Sequence, residues 1–114
     1  MSAEAEEAYA LAEQRIAQAK AEGWRELFLS GDGVKRKDFR RSGNKNLKAL
    51  ESLPPQISDL ENLRQLSLNN TNIDNIDYIH NLQQIERLNI SHTNISARKN
   101  SIFFKSLIKD KSEI

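Results

Sequence analysis

Apolar residues recur along the chain in a short alternating pattern that returns after a fixed interval. Leu63, Leu66, Leu68, Thr71 and Ile73 fit the pattern LxxLxLxxTxI. It returns 22 residues later in the run IERLNISHTNI, and an earlier, looser copy reads WRELFLSGDGV. Leucines two residues apart, as at Leu66 and Leu68, predict a short strand with one buried and one solvated face. Three copies therefore predict about three strands.

The stretches between the copies are also apolar, and they indicate how the strands are connected. A strand that buries one face needs a partner layer, so each copy is expected to coil back and stack on its neighbour. In the first copy, Gly31 and Gly33 supply turn freedom, and Val34 stands at an expected core position. Thr71 and Thr93 follow the strands, where a hydroxyl can hydrogen-bond backbone groups of an adjacent turn. The apolar residues between the copies are Leu50, Leu53, Ile57, Leu60, Ile76, Ile79 and Leu82.

These features resemble the leucine-rich repeat family. The 22-residue period and the run LPPQISDLENLRQLSL look like those of bacterial intracellular and internalin-like members, and the resemblance covers roughly residues 24–96. The position of the asparagine ladder in that family holds Asp32, Thr71 and Thr93 here. The resemblance implies an α/β solenoid, a short leucine-rich-repeat array of about three strands in a parallel sheet, with a capping helix at each end.

Both ends of the chain show helical periodicity. Ser2 is the predicted N-cap of the N-terminal helix, and Gly23 its predicted end. One face of this helix, at about 100° per residue, holds Ala5, Ala8, Tyr9, Ala12, Ile16 and Ala19. A C-terminal capping helix is predicted from Phe103, Phe104, Leu107 and Ile108. A basic helix on a membrane surface remains the alternative there, because of Lys105, Lys109 and Lys111.

The first interval between copies is longer than the second and contains a basic insertion. From Trp24 to Leu63 the step is 39 residues. A surface loop or irregular turn is favoured over a degenerate extra repeat on Phe39, Arg41 and Asn44, since such a repeat would bury Arg41. The predicted organisation is N-terminal capping helix 1–23, first repeat strand 24–34, basic insertion or irregular turn 35–48, leucine-rich repeats 49–96, and C-terminal cap or tail 97–114.

The insertion, called the basic segment below (residues 35–48), holds seven basic residues and one acidic residue, whereas the whole chain has a net charge of +1. Such a segment can bind phosphate groups by releasing counterions. It lacks the series of aromatic residues on which single-stranded nucleic acids stack, so nucleic acid is not the partner we favour. The candidate anion-binding residues are Lys35, Arg36, Lys37, Arg40 and Arg41.

The solvated sides of the predicted strands supply the main candidate binding surface, the concave face of the implied solenoid. Phe28 is notable because exposed aromatic residues dominate interface hot spots. The competing interpretation is that the basic segment or the N-terminal helix covers Phe28. The predicted partner-binding residues are Glu26, Phe28, Ser30, Gln65, Ser67, Asn69, Arg87, Asn89 and Ser91.

Signals for catalysis, metal binding and membrane insertion are missing from the sequence. There is no cysteine and there are only two histidines, so we expect neither a metal site nor a cofactor. Ser91 and His92 are adjacent, but adjacent strand residues point to opposite faces. They are therefore not expected to act together as nucleophile and base. Asp74 and Asp77 lack the glycine and closing glutamate of a calcium loop. No apolar run approaches about 20 residues, and residues 1–20 lack the apolar region of a secretory signal. We therefore expect a cytoplasmic protein that is not an enzyme.

The sequence thus predicts a non-catalytic protein–protein interaction module that binds a protein or peptide through the concave face. One alternative is that the chain is the recognition segment, or a truncated relative, of a larger GTPase or Toll/interleukin-receptor-type signalling protein. The resemblance implies this alternative, because bacterial relatives with a similar leading helix look like such proteins. The other alternative is anion or nucleic-acid binding through the basic segment.

Overall fold

One long helix, two short 3₁₀ helices and a small parallel sheet form the regular structure of the described residues. The computed structural model describes residues 2–38, 40, 42–75, 84–95 and 112–113. Helix α1 spans Ala3–Glu22. Three strands follow, β1 Glu26–Phe28, β2 Gln65–Ser67 and β3 Arg87–Asn89, and a two-residue strand, β4 Ser112–Glu113, pairs with β3. The expected small α/β fold with parallel strands is confirmed.

The strands pair in the order of the sequence, and their register aligns the repeated leucines. β1 pairs with β2, β2 with β3 and β3 with β4, all in parallel. Leu27, Leu66 and Leu88 occupy one row across the sheet, and each is at most 1% exposed. The row that follows in sequence, Leu29, Leu68 and Ile90, is also buried. The alternation of apolar and polar residues therefore predicted the buried side of the sheet correctly.

The backbone entering each strand repeats one hydrogen-bond arrangement. The carbonyl oxygen of Arg25 accepts from the N–H groups of Arg64, at 2.7 Å, and Gln65, at 3.0 Å. The carbonyl oxygen of Arg64 accepts in the same way, at the same two distances, from Glu86 and Arg87. Successive copies of the pattern therefore share backbone geometry as well as side-chain type.

Two 3₁₀ helices, Lys45–Ala49 and Pro55–Asp59, lie between β1 and β2. Each buries one apolar residue, Leu47 or Ile57, and the buried Leu50 and Leu53 lie between them. β1 pairs directly with β2, so the described part of the basic segment adds no strand to the sheet. Phe39 and Arg41, on which the alternative of an extra repeat depends, lie outside the described residues.

Helix α1 has the boundaries that the sequence predicts, and five of the six residues on its predicted face are buried, whereas Tyr9 is half-buried. The Ser2 Oγ accepts from the N–H of Ala5 at 3.1 Å, and Gly23 ends the helix in the left-handed conformation with φ 65°. The helix packs against both 3₁₀ helices and β1. Because most buried residues of α1 are alanines, it can approach these elements closely; they are Ala5, Ala8, Ala12, Ile16 and Ala19.

The turns after the strands differ from the prediction in two respects. The hydroxyls of Thr71 and Thr93 donate to carbonyl oxygens three residues earlier, those of Leu68 and Ile90, at 2.8 and 2.7 Å. They therefore close their own turns instead of bonding an adjacent turn. Val34 is 46% exposed rather than buried, because the chain turns there into the basic segment.

Several predictions concern positions outside the described residues. These are the C-terminal helix on Phe103, Phe104, Leu107 and Ile108, the lysines beside it, and the apolar positions Ile76, Ile79 and Leu82. Two residues of the predicted C-terminal cap or tail, Ser112–Glu113, form β4. Within the described part of the chain, no helix combines the length and apolar character needed to span a membrane.

Candidate functional site

The strand pairing places six of the nine predicted binding residues side by side on one side of the sheet. Glu26, Gln65 and Arg87 form one row across β1, β2 and β3. Phe28, Ser67 and Asn89 form the next. Since side chains alternate along a strand, both rows lie on the face opposite the buried leucines. This set, Glu26, Phe28, Gln65, Ser67, Arg87 and Asn89, is called the polar sheet face below.

Two of the predicted binding residues are buried, which corrects the expectation of solvent exposure. Ser30 is 1% exposed and Ser67 is 3% exposed. Their hydroxyl oxygens lie 3.2 Å apart, and each lies 2.5 Å from Asn69 Oδ1. The Ser30 carbonyl also accepts from the N–H of Asn44, as the chain returns from the basic segment. These serines therefore hold neighbouring chain segments together rather than facing a partner.

Asn89 is fixed by the residue two positions after it. Its Oδ1 accepts from the backbone N–H of Ser91 at 3.0 Å and from the Ser91 Oγ at 2.7 Å. Because a backbone N–H can only donate, the atom of Asn89 that faces Ser91 must be its oxygen. Both residues are half-buried, so the Asn89 side chain is held in place while still reaching the surface.

Phe28 is half-buried. One arginine lies over its ring and another bonds its backbone carbonyl. The Arg36 guanidinium carbon lies 5.8 Å from the centre of the Phe28 ring. The Arg15 Nη1 on α1 donates to the carbonyl oxygens of Phe28, at 2.6 Å, and Ser42, at 2.9 Å. Burial lowers the pKa of the Arg15 guanidinium, which still stays protonated at neutral pH. The alternative interpretation of Phe28 is therefore supported in part, since the basic segment covers one side of the ring.

A groove runs across the polar sheet face with a volume of about 200 Å³. It is smaller than typical small-molecule sites, which start at about 300 Å³. Its dimensions therefore suit single side chains of a partner better than a cofactor. The groove is lined by Phe28, Gln65, Leu66, Ser67, Arg87, Leu88 and Asn89.

The basic segment is folded back on itself. The Gly43 N–H donates to the Val34 carbonyl at 2.8 Å, which closes a hairpin-like loop. Within the loop, the buried Ser42 Oγ accepts from the N–H of Arg36, at 2.8 Å, and lies 3.2 Å from its carbonyl oxygen. The three exposed residues at the start of the segment are Lys35, Arg36 and Lys37.

Carboxylates neutralise two of the candidate anion-binding residues. Arg40 binds Asp38 through two nitrogens, at 2.9 and 2.7 Å. This hydrogen bond, followed by the charges of Asp38, Glu26 and Glu22, raises the pKa of Arg40. Arg36 lies 3.5 Å from Asp32. Because Arg36 and Arg40 are paired with carboxylates, the described part of the segment is less available to anions than its composition indicates. Arg41 lies outside the described residues.

Metal binding has no support in the described ranges, which contain no group of three metal-ligating side chains. The arrangement can therefore bind by hydrogen bonds, apolar contact and charge. Sequence reasoning did not identify Arg15 or Ser42 as part of the site, because each acts on residues well separated from it along the chain. No local pattern marks such contacts.

Comparison with family models and with curated proteins gives no match: no protein-family model matches the sequence, and no similar curated protein is found.

Proposed function

We propose that the chain is a short leucine-rich-repeat solenoid that binds a protein partner, through an extended peptide segment, on the polar sheet face. The observation that carries the proposal is the alignment of two rows of non-leucine side chains directly above a continuous leucine row. The leucine row holds the strands in register. The polar rows then present side chains at fixed spacings, so binding orders few groups.

The width of the sheet favours an extended peptide over a broad protein surface. Parallel strands lie about 4.8 Å apart, so β1 and β4 are separated by about 14 Å. A standard protein interface covers about 800 Å² on each partner, which is large for a sheet of this width. A peptide lying across β1, β2 and β3 fits, with Phe28 on the first of these strands and Asn89 on the third.

Burial and hydrogen bonds divide six of the nine predicted residues into two groups. Phe28, Gln65, Arg87 and Asn89 are at least partly exposed and are proposed to contact the partner. Ser30 and Ser67 are proposed to support the backbone beneath them. A role as the recognition segment of a larger multidomain protein is compatible with this proposal, since it uses the same surface.

The proposal is tested by selecting binders from a displayed library of random peptides against the immobilised chain. Selected peptides are then measured against two variants that remove apolar side chains, Phe28→Ala and Val34→Ala. Val34 is exposed and lies outside the polar sheet face, so it is the matched control. We expect Phe28→Ala to weaken binding at least tenfold, equivalent to about 1.4 kcal/mol, and Val34→Ala to have little effect.

Two results would contradict the proposal. One is equal binding to both variants and to the unaltered chain, which would place the peptides elsewhere. The other is binding that falls steeply with salt and disappears when Lys35, Arg36 and Lys37 are neutralised. That outcome would assign the activity to the basic segment.

A further inference from the structure

The two ends of the parallel sheet differ in how completely their strand edges are covered. At the first strand, the carbonyl oxygens of Phe28 and Ser30 accept from Arg15 Nη1, at 2.6 Å, and from the N–H of Asn44, at 2.8 Å. At the other end, β3 is covered by β4, a strand of two residues. The helix and the basic segment thus close β1, whereas the cover of β3 is a short strand.

The leucine row that crosses β1, β2 and β3 does not continue into β4. Leu27, Leu66 and Leu88 are each at most 1% exposed, and the register partner of Leu88 in β4 is Ser112. Stabilisation by burial scales with apolar area. Serine therefore contributes little at a register position where leucine would contribute much more.

The backbone hydrogen bonds between successive copies are also incomplete at this end. Beyond the first strand pair, the N–H of Gly31 donates to the Asn69 carbonyl at 3.1 Å, and beyond the second pair the N–H of Asn70 donates to the Ser91 carbonyl at 3.2 Å. His92 is the equivalent residue of the third copy, and its N–H has no carbonyl acceptor within the described ranges. A longer neighbouring strand would supply that acceptor.

We propose that the outer edge of β3 binds an extended segment of a partner protein, which adds to the sheet as a parallel strand and replaces β4. The segment carries an apolar residue at the register position of Ser112 and a backbone carbonyl opposite His92. In such strand addition, main-chain hydrogen bonds give affinity and alternate side chains give specificity. The edge of β3 is a different surface from the polar sheet face, so this inference goes beyond the proposed function.

A second copy of the chain offers no suitable strand among its described residues. Its β2 and β3 are paired on both sides, and Arg15 closes β1. Its β4 has the same serine at the leucine row. The occupant is therefore a segment of a different protein.

The probe is a fluorescently labelled synthetic peptide with the sequence of residues 63–73, LRQLSLNNTNI. This segment contains β2, which already pairs in parallel with β3 on its other side, so its side-chain pattern is one that the sheet accommodates. The control peptide has serine in place of Leu66. Fluorescence anisotropy measures binding of both peptides to the full chain.

Two variants of the chain carry the same substitution at different places. Ser112→Leu extends the leucine row into β4. Ser52→Leu is the matched control, because Ser52 is exposed and lies outside the sheet. Circular dichroism checks that each variant is folded.

We expect the unaltered chain and Ser52→Leu to bind the peptide equally, and to bind the control peptide about tenfold more weakly or worse. Ser112→Leu should weaken binding of the peptide by about fivefold or more, because a leucine in β4 makes that strand a stronger competitor. In nuclear magnetic resonance spectra, the peptide should shift the amide signals of Leu88 and His92.

The contrary results are equally specific. No binding, or equal binding of the two peptides, would overturn the inference. Ser112→Leu binding as tightly as the unaltered chain would show that the peptide does not replace β4. Sedimentation that detects dimers without peptide would assign the edge to a second copy. Since the β3 edge does not include Phe28, loss of binding in Phe28→Ala would place the peptide on the polar sheet face, in favour of the proposed function and against this inference.

Discussion

The guanidinium of Arg36 lies over the ring of Phe28, with 5.8 Å between the guanidinium carbon and the ring centre. This contact joins the basic segment to the first strand of the sheet. Arg36 also lies near Asp32, and the Ser42 hydroxyl hydrogen-bonds both the backbone N–H and the backbone carbonyl of Arg36. The basic segment is therefore part of the folded structure and forms one border of the proposed binding surface.

The energy of this contact can be measured with a double-mutant cycle. Arg36→Ala, Phe28→Ala and the double variant are compared by denaturant unfolding. Cation–π pairs at exposed sites contribute about 0.5–1 kcal/mol, so we predict a coupling free energy in that range. The control cycle replaces Arg36→Ala with Lys35→Ala, and its coupling is expected to be near zero. Equal coupling in the two cycles would contradict the assigned contact.

Arg15 is predicted to stabilise the edge of the sheet through its two hydrogen bonds with backbone carbonyls. Arg15→Met keeps much of the apolar stem and removes the guanidinium, which leaves the Phe28 and Ser42 carbonyls without this donor. Hydrogen bonds of charged groups contribute about 1.5–3 kcal/mol, so the free energy of unfolding should fall by about 2 kcal/mol. Denaturant titration measures the change.

The matched control for Arg15 is Gln14→Met, which alters an exposed position on the same helix and should change stability by less than about 0.5 kcal/mol. The lowered pKa of Arg15 still leaves it charged below strongly alkaline pH. The loss should therefore be the same at about pH 6 and about pH 8. A loss confined to one of these values would argue against the assigned hydrogen bonds.

Asn70 tests the backbone conformation of the turn after β2. Its φ is 59°, and the equivalent residue after β3, His92, has φ 55°. The left-handed backbone conformation costs most residues that carry a Cβ about 1–2 kcal/mol, whereas glycine and asparagine adopt it more readily. Asn70→Ala should therefore lower the free energy of unfolding by about 1 kcal/mol, while Asn70→Gly should be nearly neutral. The opposite order, with alanine better tolerated than glycine, would rule out this turn geometry.

The continuity of the buried core predicts a single unfolding transition. Ala12 and Ile16 of α1, Trp24, Leu66 and Leu88 belong to one cluster of buried residues. Trp24 is the only tryptophan, so its fluorescence reports the core, while far-ultraviolet circular dichroism reports α1. The two thermal melting curves are expected to coincide.

A variant in the core sharpens the test of cooperativity. Leu66→Ala removes a fully buried side chain and should lower stability by about 2–5 kcal/mol, which is a fall in melting temperature of about 10 °C or more. Gln65→Ala, the neighbour on the other face, should have a much smaller effect. Fluorescence and dichroism curves that separate, in either variant or in the unaltered chain, would show that α1 and the sheet unfold independently.

Local patterns predicted much of this fold because local physics determines it. The side-chain period of two in a strand placed Leu66 and Leu68 inside. The oxygen of Ser2 and the left-handed Gly23 marked the ends of α1 through contacts within a few residues. Such features depend on neighbouring residues, so the sequence displays them directly.

The remaining features depend on contacts between distant segments. Ser30 and Ser67 occupy positions that alternation assigns to solvent, yet both are buried, and Ser30 bonds Asn69 and the returning chain at Asn44. Arg15 binds carbonyls 13 and 27 residues away along the chain. Thr71 bonds its own turn. Neither period nor composition records which distant groups meet, so these features became clear only from the structure.

The most direct test of the central claim is to map where a selected peptide binds on the isotopically labelled chain by nuclear magnetic resonance. We predict that the peptide shifts the amide signals of Phe28, Gln65 and Asn89 and leaves those of the 3₁₀ helix Lys45–Ala49 unchanged. The contrary result, with shifts centred on the basic segment and a polar sheet face that does not respond, would contradict the claim that this face binds the partner.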